Sequence, residues 1–444
     1  MSSTSKNPTF AVLTLGCKVN QYETEAICEA LERMGFIQRP SHEVCDLYVL
    51  NTCTVTAESD RKSRQMARRL IQKNPDGHVI ITGCSVQGSP DSFAAIEGVS
   101  AVVGNRQKLR VAEIAGELMD HGRPTTPVVD VPELTDAPFE SMSITRFART
   151  RAYVKIQDGC ESRCAYCAIP AARGPVRSKP MEDVIAEVTA LTEGGCREIV
   201  LTGIETGAWG RDLGTLRLQD LLVAVDRIPR VGRIRLGSLD PTVMTEDFVG
   251  KIKGLSSLAP HFHLSMQSGC SATLARMRRK YNAKQAETAM ARIRAAIPAV
   301  QFTTDMIVGF PGETDEEFLE SADFARRAGF LHIHVFPYSK RSGTPAATMK
   351  DQVSETLKHD RVAILSRISE ESCTAILEGV LASPHPLTVL PETRGDGFVM
   401  AHTPDFLEVK VLTDCPLPQD EITVTPIRRE GEILICTPAV NCPL

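Results

Sequence analysis

The sequence contains no run of about 18 consecutive apolar residues, the length that a membrane-spanning helix needs, so no membrane span is expected. Its first residues, Met1 to Pro8, are polar and lack the apolar segment of a secretion signal, and we therefore expect a cytoplasmic protein. An excess of basic residues is also missing, because the formal net charge is −5. Any affinity for nucleic acid must then come from local basic patches.

Cysteine, by contrast, is abundant: the chain has 14 cysteines among its 444 residues. Secreted proteins use cysteines for disulfides, but a chain without a secretion signal is expected to keep its thiols reduced. Clustered cysteines in such a protein indicate metal-binding or catalytic sites. The positions of the cysteines are therefore the main guide to function.

Three regions differ in their pattern of apolar residues. In residues 8–124, apolar strands alternate with amphipathic helices, which predicts an open parallel α/β sheet. Residues 125–144 are rich in Pro, Asp, Glu and Thr, and we expect a linker there.

The two later regions predict two kinds of barrel. Residues 145–376 repeat the strand–helix alternation six times, which predicts a full or partial βα barrel, with an open doubly wound sheet as the alternative. Residues 377–444 change to five short strands separated by Pro, Gly and Asp turns. Such strands predict a small closed antiparallel barrel, of a kind that often binds RNA.

The segment DGCESRCAYCAIP contains three cysteines in C-x3-C-x2-C spacing, Cys160, Cys164 and Cys167. They directly follow the first strand of the central region, and active sites of βα barrels lie at the carboxyl ends of the strands. A structural zinc site normally needs a fourth ligand, and no cysteine or histidine is obvious nearby in sequence. Three thiolates on a four-iron cluster instead leave one iron open for a substrate or cofactor.

A second set of cysteines is spread over the first region. Cys17, Cys53 and Cys84 each lie just beyond the carboxyl end of an apolar strand, in the segments TLGC, LNTC and ITGC. Strand ends of this kind meet at one edge of a parallel sheet, where ligands bind. We therefore expect the three cysteines to converge, although three unrelated core thiols are the alternative.

The C-x3-C-x2-C motif after the first barrel strand resembles the radical S-adenosylmethionine (SAM) superfamily. The resemblance implies a 4Fe-4S cluster on Cys160, Cys164 and Cys167, where SAM is cleaved to a radical that abstracts hydrogen. It also implies SAM contacts in the segments VLTGIETG, HLSMQSG and DMIVGFPGETDEEF. The corresponding candidates for SAM binding are Gly203, Glu205, Gln267, Ser268, Gly309, Gly312 and Glu313.

The segments TLGCKVNQYETE, LNTCTVTAESDRKSRQ and TGCSVQ resemble the N-terminal domain of the methylthiotransferases. That family combines a cluster domain, a radical-SAM barrel and a small β-barrel termed TRAM, so the resemblance covers nearly the whole chain. It implies a second 4Fe-4S cluster on Cys17, Cys53 and Cys84, which would hold the sulfur to be inserted. One SAM would supply the methyl group and another the radical.

Within this family, the segments GCKVNQYETE, DRKSRQ, VLTGIETGAWG and MRRKY are most similar to the branch that acts on N6-threonylcarbamoyladenosine (t6A) in tRNA. The resemblance implies insertion of a methylthio group at C2 of the t6A beside the anticodon, with flavodoxin or ferredoxin as electron donor. Four residues differ from the family pattern: Arg163, Ala171, Glu205 and Asp240.

Three other activities are alternatives. Two are sister reactions, the methylthiolation of N6-isopentenyladenosine in tRNA and that of an aspartate in a ribosomal protein. The third belongs to a different class, a zinc-binding, RNA-binding protein without catalysis.

Two basic segments, RKSRQMARRLIQK and RMRRKYNAK, are candidates for contact with tRNA, because phosphate recognition needs local positive charge. Each could also be an ordinary solvated helix face. From residue 378 onward the chain has four basic residues against ten acidic ones, so we expect only local contacts there. The candidate RNA-binding residues are Arg61, Lys62, Arg64, Arg68, Arg69, Arg278, Arg279, Lys280, Arg428 and Arg429.

We predict that the first two regions supply most of the affinity for tRNA. Reversing the charges of Arg61, Arg64, Arg68 and Arg69 should weaken binding, whereas removing residues 378–444 should leave measurable binding. Titration of labelled tRNA at one fixed salt concentration measures both effects. Binding that survives the charge reversals but disappears on the truncation would contradict the prediction.

Overall fold

The computed structural model describes residues 7–135, 137–147, 150–418 and 420–439. They form an open parallel sheet, a partial βα barrel and a small closed β-barrel, in chain order. The fold class expected from the sequence is therefore confirmed. Among the residues described, none of the helices combines the length and the apolar character needed to cross a bilayer.

The first unit is a parallel sheet covered by helices. Its elements are β1 (Thr9–Thr14), α1 (Lys18–Arg33), β2 (Ile37–Gln38), β3 (Leu47–Thr52), α2 (Ala57–Lys73), β4 (His78–Gly83), α3 (Cys84–Gly88), α4 (Pro90–Ala94), β5 (Ala101–Val103), α5 (Arg110–His121) and β6 (Val128–Asp130). The strand order is β2-β1-β3-β4-β5-β6, and every pairing is parallel. The central strands β3 and β4 are buried along their whole length, as apolar strands covered on both faces must be.

The segment 125–144, which we expected to be a linker, also takes part in packing. Its residues Val128–Asp130 form β6, which pairs with β5 at the edge of the first sheet. Near its end, Met142 and Ile144 are buried in the core of the barrel. The segment therefore fastens the first unit to the second as well as connecting them.

The second unit contains two short sheets that curve into an arc. Its elements are β7 (Arg151–Asp158), α6 (Ile169–Arg173), β8 (Arg177–Ser178), α7 (Met181–Glu193), β9 (Glu198–Gly203), α8 (Leu218–Asp226), β10 (Arg233–Leu236), α9 (Glu246–Ile252), β11 (His261–Gln267), α10 (Ser271–Arg276), α11 (Ala283–Ala296), β12 (Gln301–Val308), α12 (Asp315–Ala328), β13 (His332–Pro337) and α13 (Glu355–Ala382). The orders are β10-β9-β7-β8 and β11-β12-β13, joined by single bridges such as Leu239 to Leu264. The barrel is therefore partial, and we call its interior the barrel lumen.

The third unit is a closed five-stranded barrel. Its strands are β14 (Leu387–Gly395), β15 (Phe398–His402), β16 (Glu408–Leu412), β17 (Ile422–Glu430) and β18 (Ile433–Pro438). The ring order is β14-β15-β16-β18-β17, and the pairing of β16 with β18 is parallel, whereas we expected an entirely antiparallel barrel. Helix α13 crosses the boundary expected at residue 377, because Cys373 and Leu377 are buried in the core of this third unit.

Phe406 joins the third unit to the barrel. It lies in the turn between β15 and β16, and its ring stacks on His261 with 4.5 Å between ring centroids. The guanidinium carbon of Arg235 is 4.6 Å from the same ring. His261 begins β11 and Arg235 lies in β10, so this stack seats the third unit on the barrel strands.

We predict that Phe406→Ala lowers the free energy of unfolding by about 2 kcal/mol, because it removes the ring stack and the cation–π contact while the site is only half-buried. Phe336→Ala is the matched control, since that ring is 46% exposed and should change stability by less than about 0.5 kcal/mol. Thermal and denaturant unfolding measure both variants. Equal stability of the two variants would contradict the prediction.

Candidate active site between two sets of cysteines

The first set of cysteines converges at the carboxyl edge of the first sheet. Cys17 caps the amino end of α1, Cys53 directly follows β3, and Cys84 begins α3. The backbone before Cys17 lies against Cys53: Gly16 has φ +115°, and a Cβ on it would be 2.8 Å from the Cβ of Cys53. Only glycine allows this approach at that backbone angle.

Nitrogen donors surround the sulfurs of this set. The backbone N–H of Val55 donates to Cys53 Sγ at 3.5 Å, and Arg173 Nε donates to Cys84 Sγ at 3.1 Å. Burial raises the pKa of Cys53 to about 11, so metal binding has to displace its proton. Three converging cysteines with N–H donors to sulfur fit an iron–sulfur cluster.

Arg173 is a buried arginine that links the two units. It ends α6, shortly after the cysteines of the barrel, and its guanidinium donates to Cys84, to Asn20 at 2.8 Å and to Glu23 at 3.1 Å. Burial alone would raise the pKa of Glu23, but Arg173 and Lys155 outweigh it and hold that pKa well below its usual range.

Buried charges of both signs surround Arg173. Lys155 lies 2.7 Å from carboxylate oxygens of both Glu23 and Asp158, and two further cations complete the group. It comprises the cations Lys108, Lys155, Arg173 and Arg177 and the carboxylates Glu23 and Asp158. Arg173, one of these cations, donates to Cys84 Sγ and would stabilise the negative charge of a cluster thiolate there.

The second set of cysteines lies in the loop after β7. The thiol of Cys160 donates to Glu205 at 3.1 Å and accepts from the backbone N–H of Ser162 at 3.4 Å. Arg279 donates to Cys164 Sγ at 3.2 Å. Burial, reinforced by Glu205, raises the pKa of Cys160 to about 12. This loop has the same mixture of thiols and nitrogen donors, and it also fits a cluster.

Arg279, one of the residues predicted to bind RNA, contacts the second set of cysteines. Its guanidinium pairs with Asp240 at 2.8 Å and lies over the ring of Tyr281. Only 9% of its side chain is exposed, because these partners, with Cys164, enclose it. Arg278 and Lys280, on either side of it, are exposed and remain available to RNA.

The candidate SAM residues divide into two groups. Five lie at the last residue of a strand or in the loop that follows it: Gly203, Glu205, Gln267, Gly309 and Gly312.

Ser268 and Glu313 are instead engaged within the protein. The Ser268 hydroxyl contacts that of Ser321 at 3.0 Å, and Glu313 accepts from the N–H of Phe310 and pairs with Arg361 at 3.2 Å. Both side chains are buried, and their hydrogen bonds stabilise the turns in which they lie.

A cavity of about 520 Å³ separates the two sets, and we call it the inter-cysteine cavity. Its walls include Cys84 from the first set and Cys167 from the second. Arg341 closes one side, pairing with Asp60 at 2.6 Å and donating to Thr54 at 2.6 Å. Arg64, Lys340 and Ala171 also line it. One space therefore adjoins both candidate clusters.

The other predicted RNA-binding residues lie on the surface. In the first unit, Arg61 and Lys62 both approach Glu58. In the third unit, Arg428 pairs with Glu430. Arg429 pairs with Glu378 at 2.6 Å. Arg68 and Arg69 are exposed, and Arg64 reaches the inter-cysteine cavity.

The sequence interpretation missed a polar group in the barrel lumen. His263 of β11 lies 3.1 Å from Asp305 of β12, and His334 of β13 offers a third ligand atom within 4.8 Å of the other two. The signal was the alternation of polar and apolar residues in the strand segments HFHLSMQ and HIHVF, which predicts a strand with one polar face.

Comparison with known proteins agrees with this architecture. Residues 154–325 match the model of the radical SAM superfamily, and residues 9–104 match that of the uncharacterized protein family UPF0004. The structure of the radical SAM methyltransferase TsrM from Kitasatospora setae, with cobalamin and a 4Fe-4S cluster bound, is similar in fold, with a TM-score of 0.58 at 17% identity over 77% of each chain. The first match assigns the central region to the radical SAM superfamily, and the likeness to TsrM shows a shared fold.

Relatives of similar length identify the family to which the chain belongs. The threonylcarbamoyladenosine tRNA methylthiotransferase MtaB of Bacillus subtilis is 39% identical over 90% of each chain, and that of Thermotoga maritima is 35% identical over 82% of each. The tRNA-2-methylthio-N(6)-dimethylallyladenosine synthase of Acetivibrio thermocellus is 33% identical, over 83% of this chain and 78% of its own. The chain belongs to the radical SAM methylthiotransferase family. Membership implies a 4Fe-4S cluster and SAM.

We predict that Arg173→Met lowers the free energy of unfolding by about 3 kcal/mol or more, because it leaves Glu23 buried with fewer partners. Arg173→Lys keeps the positive charge and should lower the free energy of unfolding by less than Arg173→Met does. Arg68→Met, at an exposed arginine, is the control and should change stability by less than about 0.5 kcal/mol. Thermal unfolding of anaerobically prepared protein tests this, and a Met variant as stable as the control would contradict it.

Proposed function

We propose that this enzyme inserts a methylthio group at C2 of t6A beside the anticodon of tRNA. The observation that carries the proposal is the 39% identity, over 90% of the chain, with a threonylcarbamoyladenosine tRNA methylthiotransferase. Identity with the relatives named for dimethylallyladenosine is lower, at 31% to 34%. The cavity that adjoins both sets of cysteines also supports the proposal.

Each set of three cysteines is assigned one 4Fe-4S cluster in this proposal. Cys160, Cys164 and Cys167 would hold the cluster that binds SAM, and Cys17, Cys53 and Cys84 the auxiliary cluster. When bound, the clusters and SAM supply the hydrogen abstraction, the sulfur and the methyl group, because carbon 2 of adenine resists ionic attack. The inter-cysteine cavity would receive the base.

The chain's own residues orient the reactants. Glu205 accepts a hydrogen bond from the Cys160 thiol and is also paired with Arg211 at 3.3 Å. With Cys160 bound to a cluster as a thiolate, that hydrogen bond would be lost, and the carboxylate would be available to the amino group of SAM. Arg279, held by Asp240, supplies an N–H donor to Cys164 and a positive charge beside it. Gly203, Gln267, Gly309 and Gly312 would form turns around SAM.

Basic residues near the cavity would hold the RNA. Arg64 and Lys340 line the inter-cysteine cavity, and Arg68, Arg69 and Arg278 belong to the exposed basic segments. Phosphate contacts of this kind fix the position of an RNA without reading its bases. The proposal also includes flavodoxin or ferredoxin as the reductant and a cytoplasmic location for the enzyme.

We predict that anaerobically purified protein is brown and holds about eight irons, as two four-iron clusters require. Nucleosides from tRNA of a deletion strain should contain t6A but lose its 2-methylthio form, and mass spectrometry measures both. A colourless zinc protein would favour the non-catalytic alternative. Unchanged methylthiolation of t6A, with loss of the isopentenyladenosine product or of the ribosomal aspartate product, would favour a sister activity.

Two cysteine variants separate the roles of the clusters. Cys160→Ala should abolish both SAM cleavage and product formation. Cys17→Ala should keep SAM cleavage to 5′-deoxyadenosine but stop sulfur insertion. Cys415→Ala, a cysteine outside both sets, should leave both activities unchanged. Loss of SAM cleavage in the Cys17 variant would contradict this division of roles.

A further inference from the structure

Three side chains on neighbouring strands meet in the barrel lumen. His263 of β11, Asp305 of β12 and His334 of β13 each offer one ligand atom, and the three atoms lie within 4.8 Å of one another. His263 Nε2 is 3.1 Å from a carboxylate oxygen of Asp305, and the ring centroids of His263 and His334 are 5.8 Å apart. The proposed function gives none of these three residues a role.

The spacing of the three ligand atoms is close to that of a metal site. Zinc binds histidine nitrogen and aspartate oxygen at about 2.1 Å, so two atoms on one ion are at most about 4.2 Å apart. The three atoms would therefore have to close by roughly half an ångström. His334 is exposed, and within the described ranges no hydrogen bond or ion pair holds its ring, so its side chain can make this movement.

Thr303 holds the ring of His263 from the opposite side. Its hydroxyl oxygen is 2.9 Å from His263 Nδ1 and 3.0 Å from His261 Nε2. Because a hydroxyl both donates and accepts, it can accept the Nδ1 proton of His263 and leave Nε2 with a lone pair. Metal-binding histidines are commonly oriented through their second ring nitrogen in this way. A lone pair that faces the carboxylate of Asp305 needs a cation between the two groups.

A cavity of about 340 Å³ adjoins His334 and offers an ion a route to the group. His332 also lines it, with its ring centroid 4.5 Å from that of His334. Two carboxylates line the same cavity, those of Glu370 in α13 and of Glu432 in the turn before β18. One carboxylate oxygen of Glu432 is buried and has no hydrogen-bond partner in the described part of the chain. Carboxylates at the entrance favour the approach of a cation.

We propose that His263, Asp305 and His334 bind one divalent transition-metal ion, with Zn²⁺ as the probe. Two imidazoles and one carboxylate are a ligand set of metal sites that keep a position open for water. The ion would replace the proton between His263 and Asp305, and that proton would pass to solvent. Because β13 is an edge strand of the sheet β11-β12-β13, the ion would tie this edge to its two neighbours. The site is separate from the inter-cysteine cavity and does not depend on which nucleoside is modified.

The test adds Zn²⁺ to holoenzyme that has been purified anaerobically and freed of loosely held metal by gel filtration with a weak chelator. Isothermal titration calorimetry measures zinc binding, and elemental analysis follows zinc and iron together. We expect the wild type to bind one equivalent of Zn²⁺ with its iron content unchanged. His334→Ala should weaken zinc binding at least about tenfold, since loss of even a hydrogen-bond partner of a ligand weakens metal binding by about 10- to 100-fold.

Two further variants and one further measurement sharpen the test. Asp305→Asn keeps the size of the side chain but removes its charge, and it should also weaken zinc binding. His121→Ala is the matched control, because His121 is an exposed histidine at the end of α5 in the first unit, and it should keep the wild-type affinity. Zn²⁺ should raise the unfolding temperature of the wild type but not that of His334→Ala, because an ion bound only by the native state stabilises it.

The proposal is overturned if the wild-type protein takes up no zinc, or if either His334→Ala or Asp305→Asn binds zinc as tightly as the wild type does. Zinc uptake that is accompanied by loss of iron and is unaffected by His334→Ala also overturns it, since the cysteines would then hold the zinc.

Discussion

The contact between Arg173 and Glu23 is the constraint on which the site depends. Arg173 follows Cys167 by six residues in the barrel, yet it bonds to Glu23 and to the sulfur of Cys84 in the first unit. Separating the units would break this buried ion pair and leave the sulfur of Cys84 without its N–H donor. The distance between the two sets of cysteines is therefore held by a buried ion pair and a short covalent path.

The convergence of the cysteines could be predicted because it follows from topology. Parallel strands end at one edge, so residues just beyond Thr14, Thr52 and Gly83 must lie near one another once the strands pair. The same reasoning placed Cys160, Cys164 and Cys167 at the end of the first barrel strand. The position of a cysteine at a strand end follows from the apolar pattern of that strand alone. It can therefore be predicted without knowing which side chains meet it in the folded protein.

The roles of single polar side chains could not be predicted in this way. Arg279 lies in a basic segment, and only the folded chain brings Asp240 and Cys164 to it. Glu313 likewise has the sequence context of a ligand-binding turn, but its carboxylate holds the backbone of that turn and Arg361. Strand β6 was not predicted either, because the composition of its segment is that of a linker and its three residues form a strand only by pairing with β5.

Helix α13 sets the distance between the active site and the third unit. Near its start, Lys358 packs under Gly309, beside the turn assigned to SAM; near its end, Glu378 pairs with Arg429. These positions are about 30 Å apart along the helix axis, at 1.5 Å per residue. One continuous helix therefore spans from the turn at Gly309 to the ion pair at Arg429. Because a helix is stiff over this length, it fixes the spacing between the active-site turn and the surface of the third unit.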